Sequence, residues 1–249
     1  MVVLLHVNME MIMNKVYLHN ISCYVDKSTT PLEYIKKELE KLSGEKFRRI
    51  NRYIYLALRG VFGLKDIRNI PKDTSIYIGT QNGVIAEIAT MLDQIHTDKQ
   101  LPMPFTFIAS SVNMASFYIS STLGINGSSY TISNDYAAFE MALDMAYRDI
   151  KRGTIQTAIV GSNEESEPVA KTNEGGVWSL ISNNKNGANA QILSITRFAS
   201  YDEAKNNLPS ECELVPICDI GDFKDFNQCA TISKISKERY IVILFQKLS

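Results

Sequence analysis

A strand pattern, a polar turn and a helical pattern follow one another between residues 129 and 153. Apolar and polar residues alternate over 129–132, which predicts a strand that ends just before Asn134 and Asp135. Apolar residues then recur at helical spacing: Ala138, Met141, Ala142, Met145 and Ile150. We expect Asn134 or Asp135 to cap this helix and Gly153 to end it, after two basic residues that suit a helix C-terminus. A strand that turns sharply into a helix places the residue at the turn where the helix N-terminus can polarise a reactive group.

The rest of the chain predicts an α/β fold, a mixed sheet covered by helices. Strand patterns begin near residues 16, 75, 129, 157, 177 and 190, and helical patterns follow Pro31 and begin near 84, 113 and 136. Strands followed by helices indicate a partly parallel sheet, which we expect to have five strands or slightly more. Beyond residue 200 we expect only a short segment at 213–217 and a final strand at 240–246. We expect residues 14–249 to form a single domain and residues 1–13 to be a flexible extension or a misassigned start.

Composition and charge exclude several classes of function. The net charge is −1 and the basic residues are scattered, which argues against a nucleic-acid or anionic-membrane surface. We find no segment of membrane-spanning length, no phosphate-loop spacing and no metal-ligand spacing, so we expect no membrane insertion, cofactor or metal. The four cysteines form no Cys-x-x-Cys pair, and structural or surface thiols are the default prediction, although a disulfide is conceivable.

Four stretches carry a resemblance to the β-ketoacyl synthases, the condensing enzymes of the thiolase superfamily. The Ala-Leu-x-x-Ala pattern at 142–146 and the Lys-Arg-Gly sequence at 151–153 resemble the helix that follows the nucleophile in that family. Pro104, Asn113 and the Leu-Gly-x-x-Gly pattern at 123–127 resemble the segment before it, and residues 157–165 and 173–181 resemble the strands after it. The resemblance covers about residues 14–199 and implies half of a thiolase-like fold. It places the family's catalytic cysteine position at Tyr136.

This resemblance implies a non-catalytic subunit similar to a chain length factor. A phenol with a reference pKa of about 10 cannot replace the thiol that carries the acyl chain. A second half would supply the family's catalytic histidine pair, but residues 200–249 are too few for one, and His6, His19 and His96 all precede the turn. The implied partners are a full-length β-ketoacyl synthase or a second copy, together with an acyl carrier protein. The implied setting is cytoplasmic fatty-acid or polyketide-type synthesis, similar to aryl-polyene pathways.

Specific residues follow from the same resemblance. Candidates for the tunnel or the subunit interface are Asn113, Met114, Phe117, Tyr118, Tyr136 and Phe139. We expect Asn113 to cap the helix that follows it, and Tyr136 to fill the vestigial pocket. Arg48, Arg49 and Arg52 lead into a helix; they form either a solvated helix face or a weak docking site for an acidic carrier protein.

Two other functions stay open at this stage. An enzyme with divergent acyl-transfer chemistry would need convergent groups near the turn, and Asp135, Tyr136 and Glu174 are the ones that the sequence offers. An acyl-thioester-binding scaffold with no effect on product length is the third interpretation. Glu164 and Glu165 are adjacent carboxylates that would suit acid–base chemistry, but we expect them to lie on a solvated turn.

Overall fold

The computed structural model describes residues 13–27, 30–166, 173–222 and 227–248. The strands in these ranges are β1 (Val16–Asp26), β2 (Ser75–Thr80), β3 (Ser129–Ser133), β4 (Thr157–Glu164), β5 (Glu174–Ser182), β6 (Ala190–Phe198), β7 (Glu213–Leu214), β8 (Gln228–Ser236) and β9 (Arg239–Lys247). The helices are α1 (Leu32–Ser43), α2 (Arg52–Phe62), α3 (Ile85–His96), α4 (Pro104–Ala109), α5 (Met114–Leu123), α6 (Ala138–Arg152) and α7 (Tyr201–Asn206). The expected extension lies outside the described residues except for Met13.

The described strands form one mixed sheet in the order β3-β2-β4-β5-β1-β6-β9-β8-β7. β3, β2 and β4 are parallel to one another, and every pairing from β4–β5 through β9–β8 is antiparallel. The short β7 is parallel to β8. Parallel neighbours need a crossover connection, which α3, α4 and α5 provide between β2 and β3, and α6 provides between β3 and β4. Among the described strands β3 pairs only with β2, so it forms an edge of this sheet.

Helices cover both faces of the sheet, and β2 shows how its residues divide between them. Ile76 and Ile78 pack into a core with α1, α2 and α5, whereas Tyr77 packs into a core with α6. This division follows from the alternation of side chains along a strand. Because both faces are covered, all six residues of β2 are buried, as is usual for a parallel strand in an α/β protein.

The predicted fold class is confirmed, but the sheet is larger than we expected. All six predicted strands and the helices near 31, 84, 113 and 136 are present. The difference lies at the C-terminal end, where β8 and β9 form a hairpin that extends the sheet beyond β6. The sequence pattern indicated β9 but not β8, because the apolar residues of β8 (Cys229, Ala230, Ile232 and Ile235) do not alternate regularly with polar ones.

A disulfide joins Cys23 on β1 to Cys218 in the 3₁₀ turn at Ile217–Asp222. The default prediction of free thiols is therefore wrong for these two residues and holds for Cys212 and Cys229. The bonded residues are 195 positions apart in the sequence, so local spacing could not reveal the pair.

Candidate functional site

Residues 134–137, which we call the elbow, join β3 to α6. Ala137 is the N-cap residue of α6 and has a left-handed backbone, with φ at 48° and ψ at 43°. A positive φ is uncommon for a residue with a side chain, and strained backbone of this kind is concentrated at functional sites. The predicted side-chain cap is wrong: no described side chain caps α6, and Asn134 instead donates to the backbone carbonyl of Tyr136.

The elbow packs tightly against the end of β2. A Cβ atom on Gly79 would lie 2.0 Å from the carbonyl oxygen of Ala138, so only glycine allows the first turn of α6 to approach the strand this closely. The backbone N–H of Asn134 also donates to the carbonyl of Thr80 at 3.0 Å. These contacts hold the start of α6 in a defined position at the carboxyl end of the parallel strands.

Tyr136 lies at the elbow but does not fill a buried pocket. Its side chain is 43% exposed, and its ring lies beside the ammonium group of Lys234 on β8, with 5.6 Å between the nitrogen and the ring centroid. The expectation that this ring plugs a closed pocket is therefore wrong for the isolated chain. The neighbour on β8 belongs to the hairpin that the sequence pattern did not predict.

A cleft of about 380 Å³ opens beside the start of α6, and we call it the elbow cleft. Its wall includes Phe139 on α6, Val177 on β5 and the disulfide residue Cys218. Most of the surface that lines it is apolar, and Glu140, Glu164 and Glu174 contribute carboxylates. Phe139, a predicted tunnel residue, does line this cleft, whereas Tyr136 and Asp135 do not.

Glu164 and Glu165 accept hydrogen bonds from backbone N–H groups of the β2–α3 connection and of the first turn of α3, respectively. Glu164 accepts from Gln81 and, at 2.9 Å, from Asn82, and Glu165 accepts from Ala86 at 2.9 Å. Burial raises the pKa of the Glu165 carboxyl to about 7, and burial also raises the pKa of Glu164. The prediction of a solvated turn is therefore wrong, because the first turn of α3 covers the end of β4.

Glu174 is buried and forms an ion pair with Arg52. The guanidinium Nε of Arg52 donates to Glu174 at 2.7 Å, and a second nitrogen donates to the other carboxylate oxygen and to the carbonyl of Thr30. Arg52 is thus engaged inside the protein and is not a free docking residue. Arg48 and Arg49 are exposed, but they precede α2 instead of forming a face of it.

Large apolar side chains are exposed between residues 88 and 130, and we call this set the apolar surface. α3, which is described in full, has no buried residue, although α3 contacts α4. The set comprises Ile88, Leu92, Ile95, Leu101, Met103, Phe105, Phe107, Ile108, Phe117 and Tyr130. Exposed apolar residues in such number are typical of a surface that another protein covers. Tyr130 lies on the edge strand β3, whose outer side has no partner strand in the described chain.

Residues 45–191 match the family model of the β-ketoacyl synthase N-terminal domain. The chain belongs to this family. No curated protein sequence matches the chain significantly. The fold is α/β and thiolase-like, as in the solved ketosynthase and chain length factor structures that the chain resembles.

Three solved structures illustrate the likeness of this synthase-like chain. The ishigamide ketosynthase/chain length factor aligns with a TM-score of 0.70 and 12% identity, over 94% of this chain and 100% of that one. A structure of a type II PKS acyl-carrier protein in complex with its ketosynthase aligns with a TM-score of 0.65 and 11% identity, over 95% of this chain and 100% of that one. A ketosynthase in complex with its chain length factor from Xenorhabdus doucetiae aligns with a TM-score of 0.60 and 14% identity, over 94% of this chain and 99% of that one. At these identities the likeness establishes the fold.

The predicted interface residues of this synthase-like chain divide between core and surface. Met114 and Tyr118 on α5 pack against the core, whereas Phe117 is exposed and contacts the Tyr118 ring edge-on at 5.5 Å between centroids. Asn113 occupies the N-cap position of α5 but makes no capping hydrogen bond through its side chain, which accepts from Ser111 instead. The expected side-chain cap at Asn113 is therefore wrong.

Sequence reasoning missed the buried carboxylates and the disulfide. A signal for the carboxylates was present, because Glu164 ends the buried strand β4 and Glu165 directly follows it. Among the described residues no cluster of side chains could hold a metal ion, and no helix is long and apolar enough to cross a membrane.

Proposed function

We propose that this chain is a ketosynthase-like subunit without condensing activity that pairs with an active β-ketoacyl synthase, in the manner of a chain length factor. The observation that carries the proposal is an elbow with a left-handed Ala137 and tight packing against β2, which has Tyr136 where the sequence resemblance places the family's nucleophile. Decarboxylative condensation needs a thiolate to carry the acyl chain. The Tyr136 phenol does not supply one, so we assign the elbow a structural role in this chain.

The apolar surface supports the pairing. Phe107 is 68% exposed, and apolar side chains of this size are stabilised when a partner removes them from water. The exposed edge of β3 also favours association, because its unpaired backbone groups can bind a neighbouring strand. The similar solved proteins include a ketosynthase in complex with its chain length factor, which is the assembly that we propose for this chain. A homodimer is the alternative use of the same surface.

An acyl carrier protein is the proposed third component, in fatty-acid or polyketide-type synthesis. One similar solved structure is an acyl-carrier protein complex with its ketosynthase. Arg48 and Arg49 are the exposed members of the basic run and suit an acidic carrier surface, whereas Arg52 is occupied by Glu174.

Co-expression with a full-length β-ketoacyl synthase from the same gene cluster tests the pairing. We expect the tagged chain to co-purify with the synthase at a fixed ratio, and the reconstituted pair to make products of a different length from those of the synthase alone. Leu92→Lys on α3 should weaken the complex. Leu42→Lys on α1 is the matched control, because Leu92 and Leu42 are 45% and 48% exposed and both lie on helices. A stable monomer that ignores the synthase would contradict the proposal.

The elbow cleft favours a second candidate, an acyl-binding scaffold that does not set product length. Its mostly apolar wall fits a short acyl chain. Product profiles with and without the chain separate the two functions, because a scaffold changes the yield but leaves the lengths alone. The divergent-enzyme alternative has less support, since Glu174 lines the elbow cleft in an ion pair while Asp135 and Tyr136 lie outside its wall.

A further inference from the structure

A second cleft, which we call the polar cleft, lies at the other end of β4 and β5. Its volume is about 480 Å³, and Thr157 and Ser182 line it, whereas Ser162 and Gly175 line the elbow cleft. β1 contributes His19 and Asn20. The lining differs sharply from that of the elbow cleft, because it contains five asparagines: Asn20, Asn69, Asn184, Asn186 and Asn189. Nothing in the proposed function uses this cleft.

A β-bulge positions His19 in the polar cleft. Leu18 pairs with Ile181 and Asn20 pairs with Leu180, so His19 is an extra residue with no partner on β5. Bulges of this kind redirect a side chain, and they are frequent beside active sites. The bulge brings the His19 ring to the end of β5, where its Nε2 atom lies 2.8 Å from the hydroxyl oxygen of Ser182.

The hydrogen bonds around Ser182 favour donation of its hydroxyl proton to His19. The hydroxyl has two acceptors within reach, His19 Nε2 at 2.8 Å and the carbonyl of Asn184 at 3.2 Å, and the shorter contact is to the histidine. The oxygen meanwhile accepts from the backbone N–H of Asn184 at 3.0 Å. A hydrogen bond with the backbone of Gly187 orients the ring as well. A nucleophile, a base within hydrogen-bond reach and a group that orients the base are the geometric signature of nucleophilic catalysis.

The environment keeps the His19 ring able to accept a proton. Burial lowers the pKa of His19, and the hydrogen bond with Gly187 opposes this only in part. The charged side chains that line the cleft are Lys65 and Asp66, one of each sign. A neutral imidazole facing a serine hydroxyl is the form that a general base requires.

We propose that Ser182 and His19 form the nucleophile–base pair of a second site, which accepts small polar esters or thioesters. The Ser182 oxygen attacks the carbonyl carbon and forms a C–O bond, while its proton moves to His19. The C–O or C–S bond to the leaving group then breaks, and the leaving group takes the proton from His19. Water releases the acyl group from Ser182 by the same two steps, with His19 accepting and returning a proton.

The asparagines explain why the substrate should be polar. Asparagine side-chain N–H groups can stabilise an oxyanion, as backbone N–H groups do in other acyl-transfer sites. Asn20 donates to the carbonyl of Lys65 at 3.3 Å, while its own carbonyl oxygen is buried without a hydrogen-bond partner in the described part of the chain. An unpaired buried acceptor is costly, so a substrate hydroxyl or N–H that donates to it would gain binding energy.

Covalent labelling tests this site independently of the elbow. The purified protein is treated with a fluorophosphonate probe, and the labelled peptide is identified by mass spectrometry. We expect the label on Ser182, and we expect His19→Gln to reduce the labelling rate by about 100-fold or more, as removal of a general base typically does. Hydrolysis of p-nitrophenyl acetate should fall in parallel with labelling in Ser182→Ala and His19→Gln.

Matched controls are available for both residues. His96→Gln and Ser194→Ala replace the same residue types elsewhere and should leave labelling unchanged. Emission from the only tryptophan reports whether each variant is folded. If Ser182→Ala does not fold, Ser182→Cys retains a nucleophile and should react with iodoacetamide in a His19-dependent way. A folded wild-type chain without label on Ser182, or equal labelling in His19→Gln, would overturn the proposal.

Discussion

The Glu165 carboxylate accepts a hydrogen bond of 2.9 Å from the backbone N–H of Ala86, and so ties the residue after β4 to the first turn of α3. Glu165 is only 2% exposed, and α3 carries part of the apolar surface. A buried carboxylate therefore holds in place a helix that we propose to lie at the subunit interface.

Stability should fall as the pH rises through the range in which Glu165 titrates. Burial raises the pKa of Glu165 from 4.5 to about 7, so the folded state binds more protons than the unfolded state between these values. Stability from the neutral carboxyl is present at about pH 5 and lost by about pH 8, an effect on the order of 3 kcal/mol. Urea unfolding of Glu165→Gln at both pH values should show a weaker pH dependence than the wild type. The exposed Glu211→Gln should behave as the wild type does, and an unchanged pH dependence in Glu165→Gln would contradict the prediction.

Gly161→Ala should destabilise the core through a clash with Trp178. A Cβ atom at position 161 would lie 2.1 Å from the fully buried indole ring, and overpacking of this kind typically costs about 1–3 kcal/mol or more. The midpoint of unfolding can be followed by emission from Trp178 itself. The loss of stability caused by Gly161→Ala should be smaller in a Trp178→Leu background. Unfolding of those variants, which lack the tryptophan, is followed by circular dichroism. Equal losses in both backgrounds would mean that the ring is not the cause.

The Cys23–Cys218 disulfide should stabilise the fold and bind the wall of the elbow cleft to β1. Removal of a native disulfide typically costs about 2–5 kcal/mol, so Cys23→Ser should unfold at a lower denaturant concentration than the wild type. Without reductant, native alkylation should label Cys212 and spare Cys229, since burial raises the pKa of the Cys229 thiol to about 12. Alkylation of Cys23 or Cys218 under these conditions would show that the bond is absent.

Arg52→Met should destabilise the chain, whereas Arg48→Met should not. Loss of Arg52 leaves the buried Glu174 carboxylate without its partner, and breaking a buried ion pair typically costs about 3–5 kcal/mol. Arg48 is exposed and should affect only the proposed carrier docking, which titration with an acyl carrier protein can measure. Carrier affinity that falls with Arg52→Met in a fully stable protein would contradict this assignment.

Tyr136→Phe should leave pairing and product length unchanged, because we propose that the phenol is chemically idle. Tyr136→Cys should restore a thiol without creating a condensing enzyme, since condensation also needs groups that stabilise the developing negative charge. Tyr136→Ala should cost less than the roughly 3–5 kcal/mol of a buried aromatic, since the ring is 43% exposed. Product profiles of the reconstituted pair check all three variants. Loss of activity in Tyr136→Phe alone would require the phenol to take part in chemistry.

The sequence by itself determined the alternation of strands and helices, the elbow and the family. These features depend on hydrophobic periodicity and on short sequence motifs such as the one at 142–146. Both are formed by residues that are close together in the sequence. The same local signals indicated that Tyr136 stands at the nucleophile position, so the main functional proposal rests largely on sequence.

Only the tertiary structure decided which polar residues are buried and what they bind. Arg52 and Glu174 are 122 positions apart, and Glu165 and Ala86 are 79 apart, so no local pattern joins them. The left-handed Ala137 and the close approach of Gly79 to Ala138 likewise join different elements, and α6 begins without the side-chain cap that Asn134 and Asp135 predicted. A side chain is buried or paired only when the folded sheet brings distant segments of the chain together. The interactions that stabilise such contacts therefore form only in the tertiary structure, and a local sequence pattern does not contain them.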